Sequence, residues 1–167
     1  MDLSYSEDQL SLQEVFADFF AKESTIERVR AAEPLGFDER LWNQLVQTGA
    51  PTMAVPEKHG GGGATMLDLV LVAEEFGKRI APIPFVEVAS TARLLAHAGA
   101  STLVDGITEG TIIATFSPRA AVNGVARLVP AGAIADVVVV LDGDELVALQ
   151  RSGERPYATP PKNLGTA

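Results

Sequence analysis

Four consecutive glycines, Gly60 to Gly63, are the part of this chain most typical of a binding loop. A phosphate-binding loop places its glycines between a buried strand and a helix. It is completed by a lysine followed by Ser or Thr, or by a third glycine at fixed spacing. Here Ala64 and Thr65 follow the glycines, and the lysine is absent. The pattern therefore favours a flexible turn between two helices over a nucleotide site.

Two histidines and one pair of adjacent carboxylates are the other residues that could transfer a proton. His59 precedes the glycines and His97 stands near a predicted helix end, and neither has a nucleophile or an orienting partner at a recognisable spacing. Glu74 and Glu75 are neighbours on a predicted helix, where successive side chains diverge by about 100° and do not share a site. We expect one to face solvent and the other to pair with a cation three or four residues on.

The composition excludes several classes of protein. The chain of 167 residues has no cysteine, which excludes disulfides and thiolate chemistry, and its two histidines lack the spacing of metal ligands. A net charge of −9 opposes nucleic-acid backbones and anionic membranes. The acidic N-terminus is not typical of a signal peptide, and no apolar stretch reaches the roughly 20 residues that span a bilayer. We expect a soluble cytoplasmic protein that binds neither nucleic acid, metal nor membrane.

Helical periodicity extends to about residue 110. Ser6 and Gln9 have the spacing of a capping box, and Thr65 and Asp68 repeat it before a second apolar helix. Trp42 and the phenylalanines of the first helix are expected in the core. The predicted helices cover approximately residues 7–22, 25–32, 39–48, 66–77, 85–98 and 101–109, with an extended segment at 52–55 and a loop at 56–63.

β-branched residues dominate after residue 110 and predict strands at 112–116, 137–141 and 145–149. The valines at 137–140 indicate a central strand, and Asp142-Gly143 predicts a hairpin, with no regular element after 151. The predicted fold is mainly α, with a helical domain at 1–110 and a partial antiparallel β domain at 111–167. Because so small a sheet is marginal alone, we expect the rest of the β domain to lie outside this sequence or another chain to cover it.

The most distinctive sequence in the chain is segment 55–61, Val-Pro-Glu-Lys-His-Gly-Gly, together with the helix that follows, Leu-Val-Ala-Glu-Glu-Phe-Gly-Lys at 71–78. Both segments resemble those of acyl-CoA dehydrogenases, as does the helix exit at 80–84, Ile-Ala-Pro-Ile-Pro. The opening Ser-Glu-Asp-Gln-Leu-Ser-Leu, the segment 41–45 and the Ala-Asp before the valines are also similar to that family. The resemblance extends over nearly the whole chain.

The resemblance implies an FAD-dependent oxidoreductase with an N-terminal helical, a middle β and a C-terminal helical domain. Such enzymes remove a proton and a hydride from an acyl-CoA thioester, in fatty acid β-oxidation or in steroid side-chain degradation. The catalytic glutamate of the family lies in the C-terminal domain, so the resemblance assigns no catalytic residue to this chain. By itself the chain is expected to be an incomplete enzyme or a partner subunit in a homo- or hetero-oligomer.

The resemblance also assigns binding residues by position. It implies flavin contacts at Phe116, Ser117 and Pro130, and an acyl pocket lined by Phe85, Val86, Ala89 and Ser90. The flavin segment departs from the family pattern, because 116–119 reads Phe-Ser-Pro-Arg where the family has Thr-Glu-Pro, and no Gly-Ser-Asp follows. Similarly, 128–130 reads Leu-Val-Pro in place of Trp-Ile-Thr.

Three hypotheses follow for the function of the chain. It is a dehydrogenase chain that holds FAD and acyl-CoA jointly with other sequence, a non-catalytic partner subunit of a heteromeric dehydrogenase, or a helical interaction subunit without a cofactor. The altered flavin segment favours the second over the first, and the family-like β segment disfavours the third.

Overall fold

The computed structural model describes residues 4–153 of the chain. Helices precede strands, and each lies within two residues of its predicted bounds, which confirms the mainly α fold. The division into domains at residue 110 stays a prediction, and most of the tail after 151 lies outside the described residues. The elements are α1 Glu7–Glu23, α2 Ile26–Ala31, α3 Glu39–Gln47, α4 Met66–Lys78, α5 Phe85–His97, α6 Ser101–Thr108, β1 Ala114–Phe116, β2 Val137–Asp142 and β3 Glu145–Gln150.

The two predicted capping boxes begin α1 and α4 and are joined to each other. In the first, the Gln9 N–H donates to Ser6 Oγ at 3.2 Å, and in the second the Asp68 N–H donates to Thr65 Oγ1 at 3.2 Å. Gln9 Nε2 also donates to Asp68 Oδ1 at 3.1 Å, so the helix starts are fixed side by side. The hydrogen bond from the Thr65 hydroxyl lowers the pKa of Asp68 from its ordinary value, against the opposing effect of burial.

The core lies among α1, α3, α4 and α5 and continues onto the strands. Trp42 and Phe20 are fully or almost fully buried, as predicted. The Phe76 ring contacts those of Phe20 and Phe85, with centroid separations of 6.0 and 5.8 Å. Val137 and Val139 of β2 extend the same cluster. The helices and the inner face of the sheet therefore share one hydrophobic core.

A buried carboxylate ties the first three helices together. Glu23 at the end of α1 accepts from Arg28 Nη1 at 2.9 Å and from Arg40 Nη2 at 3.1 Å, in α2 and α3. The Arg28 hydrogen bond lowers the pKa of Glu23 from its ordinary value, although burial acts in the opposite direction. This cluster is satisfied internally and has a structural role.

The segment between α3 and α4 differs from its prediction. The expected extended stretch at 52–55 is wrong, because a 3-10 turn forms at Ala50–Thr52 and a second at Glu57–His59. The glycines fold back onto this segment, so that a Cβ at Gly61 would overlap the Val55 carbonyl oxygen. The N–H groups of Gly61, Gly62 and Gly63 donate to carbonyls of residues 52–56. These N–H groups are therefore used in hydrogen bonds within the segment between α3 and α4. The sequence favoured such a turn between two helices over a phosphate site.

The strands form one sheet in the order β1-β2-β3, so β2 is central, as predicted. The hairpin of β2 and β3 is antiparallel, with Asp142 opposite Glu145. β1 runs parallel to β2, with Ala114 opposite Val137, so the prediction of an antiparallel sheet is wrong for this pair of strands. The intervening residues 117–136 are long enough to return the chain to the same end of the sheet.

The connection to β2 is held by two side chains. Asp136 Oδ2 accepts from the Ile113 N–H at 2.8 Å, which fixes the start of β1 beside that of β2. The Arg151 guanidinium donates to the carbonyls of Gly132 at 2.8 Å and Ala135 at 2.9 Å. Within residues 4–153, no helix is both long and apolar enough to cross a membrane.

Candidate functional site

A cleft of about 290 Å³ separates the helices from the connection that leads to β2. Its volume is near the lower end of the range for small-molecule sites. One wall comes from Phe76 of α4 and from the start of α5, and the other from residues 129–134. The lining side chains are apolar except for that of Glu87. The lining comprises Leu35, Gly36, Phe76, Ile83, Pro84, Glu87, Val129, Pro130, Ala131, Gly132, Ala133 and Ile134.

The helical wall is positioned by the proline-rich exit from α4. The backbone turns at Ile80, whose φ is 49°, and the Asp38 N–H donates to the Pro82 carbonyl at 2.8 Å. Pro84 stands at the N-cap of α5, where its missing N–H costs nothing. Glu87 follows in the first turn of α5, where the helix dipole favours a negative charge.

The opposite wall is fixed by a buried threonine of β1. Thr115 is fully buried, and its hydroxyl donates to the Pro130 carbonyl oxygen at 2.7 Å. Ala131 has a positive φ of 53°, and its carbonyl accepts from the Ile134 N–H at 3.0 Å, which closes a turn along the cleft. Thr115 was missed by sequence reasoning. A single hydroxyl inside an apolar strand was the available signal, because a buried hydroxyl needs a partner.

The adjacent carboxylates of α4 behave as predicted and do not form a site. Glu75 is buried and accepts from Lys78 Nζ at 2.7 Å and from Gln13 Nε2 at 2.9 Å, whereas Glu74 is exposed and lies 3.5 Å from Lys78. The hydrogen bond to Glu75 raises the pKa of Lys78 from its ordinary value. No group of three or more potential metal ligands occurs in the part of the chain that the structure describes.

Comparison with known proteins identifies the family. The model of the acyl-CoA dehydrogenase N-terminal domain matches residues 6–103. The chain belongs to the acyl-CoA dehydrogenase family. It is 32% identical to acyl-CoA dehydrogenase IpdE2 of Mycolicibacterium smegmatis over 159 residues, which is 92% of this chain and 49% of that protein. The chain therefore spans about half the length of that relative.

Solved structures of acyl-CoA dehydrogenases share the fold. A structure of the ChsE4-ChsE5 complex from Mycobacterium tuberculosis superposes with a TM-score of 0.76 at 22% identity, covering 90% of this chain and 49% of the other. A Tcur3481-Tcur3483 steroid acyl-CoA dehydrogenase variant gives 0.74 at 24% identity, covering 86% and 48%. At these identities the likeness supports the fold alone.

The three residues that the acyl-CoA dehydrogenase resemblance assigns to flavin lie near one another. Phe116 and Ser117 follow Thr115 at the end of β1, and the Thr115 hydroxyl donates a hydrogen bond to the Pro130 carbonyl. Only Pro130 lines the cleft. The Ser117 N–H donates to Val139 at 2.8 Å and the Ser117 hydroxyl to Arg119 at 2.6 Å, both onto carbonyl oxygens. Proline has no N–H, so Ser117 and Pro130 do not fit a flavin that needs hydrogen-bond donors. Their assignment as flavin contacts stays a prediction.

The four residues assigned to the acyl pocket are not brought to one surface. Phe85 and Ala89 are 0% and 2% exposed and pack in the helical core, whereas Val86 is 43% exposed and Ser90 is half-buried beside it. The split follows from the 100° rotation between successive helical residues. None of the four lines the cleft. The residue of α5 that lines it is Glu87. A role for these four residues in acyl binding stays a prediction.

Proposed function

We propose that this chain contributes the acyl-binding wall of an FAD-dependent acyl-CoA dehydrogenase that carries out α,β-dehydrogenation of an acyl-CoA thioester. The cleft is the observation that supports the proposal. It places the start of α5, which the resemblance assigns to the acyl side, opposite Pro130, which the resemblance assigns to the flavin side. Its predominantly apolar walls suit an acyl group.

We propose that a second acyl-CoA dehydrogenase-like chain, or further sequence, supplies most of the flavin site and the proton-accepting carboxylate. Two observations support this arrangement. Ser117 and Pro130 have no hydrogen-bond donor left for a flavin, and the chain spans about half of its relatives. The structurally similar ChsE4-ChsE5 assembly is itself a complex. The alternative is a helical interaction subunit without a cofactor.

Within such an assembly, this chain would orient the acyl group. Phe85 and Ala89 would support α5 from the core side, and Val86 and Ser90 would extend the acyl-contacting surface along the helix. Phe116 and Pro130 would contact the flavin ring through apolar atoms only. FAD would supply the hydride acceptor, and no residue of this chain is assigned to proton or hydride transfer.

The proposal is tested by co-expressing this chain with acyl-CoA dehydrogenase-like chains that are encoded next to it in the genome and purifying the resulting complex. We expect a yellow complex whose flavin absorbance is bleached by acyl-CoA thioesters. Ala133 lines the cleft, so Ala133→Trp should retain the flavin and lower the bleaching rate about a hundredfold. Ala98→Trp, on an exposed residue at the end of α5 and outside the cleft, is the matched control and should bleach normally.

Two results would contradict the proposal. Equal bleaching by Ala133→Trp and wild type would show that the acyl group binds elsewhere. A folded chain that stays colourless and binds no thioester with every partner would support the interaction subunit instead.

A further inference from the structure

Among residues 4–153, Glu87 is the only ionisable residue that lines the cleft. Its backbone carbonyl accepts from the Thr91 hydroxyl at 2.7 Å. Its carboxylate has neither a hydrogen bond nor an ion pair among residues 4–153. The half-buried Glu87 side chain therefore has unused acceptor capacity beside the apolar side chains of the cleft.

Three other buried or partly buried carboxylates each accept hydrogen bonds from side chains. Glu23 accepts from two arginines, Glu75 from Lys78 and Gln13, and Asp68 from Thr65 and Gln9. The helix dipole accounts for an acidic residue in the first turn of α5, but it does not require one that lines an apolar cleft. Glu87 thus lacks the partner that this molecule gives to its comparable carboxylates.

An ionised carboxylate acts only as an acceptor, and it is costly to cover with an apolar group that offers no donor. The same carboxylate forms a strong, short hydrogen bond with a hydroxyl that reaches it. Glu87 consequently disfavours purely hydrocarbon ligands and favours ligands that carry a donor.

We propose that Glu87 is a specificity-determining residue that accepts a hydrogen bond from a hydroxyl group on the acyl moiety. This inference rests on the proposed function, because it assumes that the acyl group occupies the cleft. The apolar walls contact the hydrocarbon part of the acyl group, and Glu87 selects the hydroxylated acyl group over its hydrocarbon analogue.

The test measures equilibrium binding to the purified complex of two matched pairs of CoA thioesters. One pair is cyclohexanecarboxyl-CoA with its ring-hydroxylated form, and the other is hexanoyl-CoA with its ω-hydroxy form. We expect at least one hydroxylated thioester to bind wild type about tenfold more tightly than its partner. Glu87→Leu should abolish or invert that preference, and Glu87→Gln should reduce it to about threefold. Glu109→Gln, on an exposed residue that does not line the cleft, should preserve it.

The outcomes separate this inference from the proposed function. If both members of each pair bind wild type equally, or if Glu87→Leu keeps the preference, Glu87 does not accept a hydrogen bond from the acyl hydroxyl. The acyl-binding role of the chain then still stands. If no thioester binds wild type, the acyl-binding role itself fails. The unfolding midpoints are recorded in parallel, because a purely structural role of Glu87 would shift the midpoint and leave the preference intact.

Discussion

The helical part of the molecule buries most of its large apolar side chains, although some, such as Val15 and Val70, are exposed. In the strand part a larger share of them lies in solvent. Leu41, Leu45 and Phe85 are fully buried among the helices. In the strand part, Val122 is 70% exposed and Leu149 is 47% exposed. Val125, Leu128, Leu141 and Leu146 are exposed as well.

The difference has a physical origin in the two kinds of secondary structure. A helix satisfies its backbone internally, and the caps at Ser6 and Thr65 satisfy its ends. A strand needs neighbours on both sides, and among the described residues β1 and β3 each have one. The helices therefore need no further backbone partner, whereas the edge strands of the sheet leave backbone groups open to pairing.

The strongest test of this contrast makes one substitution in both parts. Leu45→Ala leaves a cavity in a closed core and should lower the free energy of unfolding by about 3 kcal/mol. Leu146→Ala, on exposed β3, should lower it by less than about 0.5 kcal/mol. Urea unfolding followed by the fluorescence of buried Trp42 measures both changes. Equal losses would show that Leu146 is covered in solution and would remove the contrast.

The glycine turn offers a second paired test, within the helical part. Gly61→Ala places a Cβ against the Val55 carbonyl and should lower the free energy of unfolding by about 2 kcal/mol. Gly77→Ala points into open space on α4 and should raise it by roughly 0.5 kcal/mol or more, through better helix propensity. Thermal unfolding of both variants compares them directly. If Gly61→Ala is neutral, the turn adjusts freely and does not brace α3 and α4.

Acid sensitivity should originate in the helical part, at Glu23. The hydrogen bond from Arg28 lowers the folded-state pKa of Glu23. The contribution of Glu23 to stability is therefore complete above the unfolded pKa of about 4.5 and is lost as the pH falls through the folded-state pKa. Glu23→Gln should cost about 1–2 kcal/mol at neutral pH and flatten the acid limb of the stability curve. Urea midpoints across the acid range measure this, with exposed Glu14→Gln as the control. An unchanged acid limb would assign the sensitivity to other groups.

The smallest expected effect concerns the wall of the cleft. Thr115→Val keeps the shape of the side chain but removes the hydrogen bond to Pro130, which should cost about 1 kcal/mol. Hydrogen exchange should quicken in residues 128–135 and stay unchanged in the helices. Exposed Thr102→Val on α6 provides the control. Faster exchange throughout the chain would mean that the two parts unfold together.

Features encoded by neighbouring residues were predictable from the sequence. The capping residues Ser6 and Thr65, the hairpin at Asp142 and the central strand of valines are examples, and the structure confirms them. Segment 52–55 was not predictable, because its shape depends on the return of Gly61 against Val55. The parallel pairing of β1 was equally hidden, since it depends on the path of a long connection.

The candidate site was less predictable than the fold. Of the residues that the resemblance assigned, Pro130 alone lines the cleft. Periodicity places α5 but does not say which of its faces meets residues 129–134, so Glu87 was overlooked. Thr115 was overlooked because the carbonyl that accepts from its hydroxyl belongs to Pro130, which is distant in the sequence. Pro130 lies in a segment with positive φ at Leu128 and Ala131.

The parallel pairing of β1 with β2 also has a consequence during translation. The β2–β3 hairpin joins nearest neighbours and forms within about 1–10 μs once both strands have left the ribosome. β1 must wait for β2, which begins only after residue 136, a delay on the order of seconds at cellular rates of synthesis. During that interval the edge of β1 that will bind β2 has no partner strand, although α5 already lies against β1. The nascent chain therefore presents one unpaired strand edge of three residues until β2 has been synthesised.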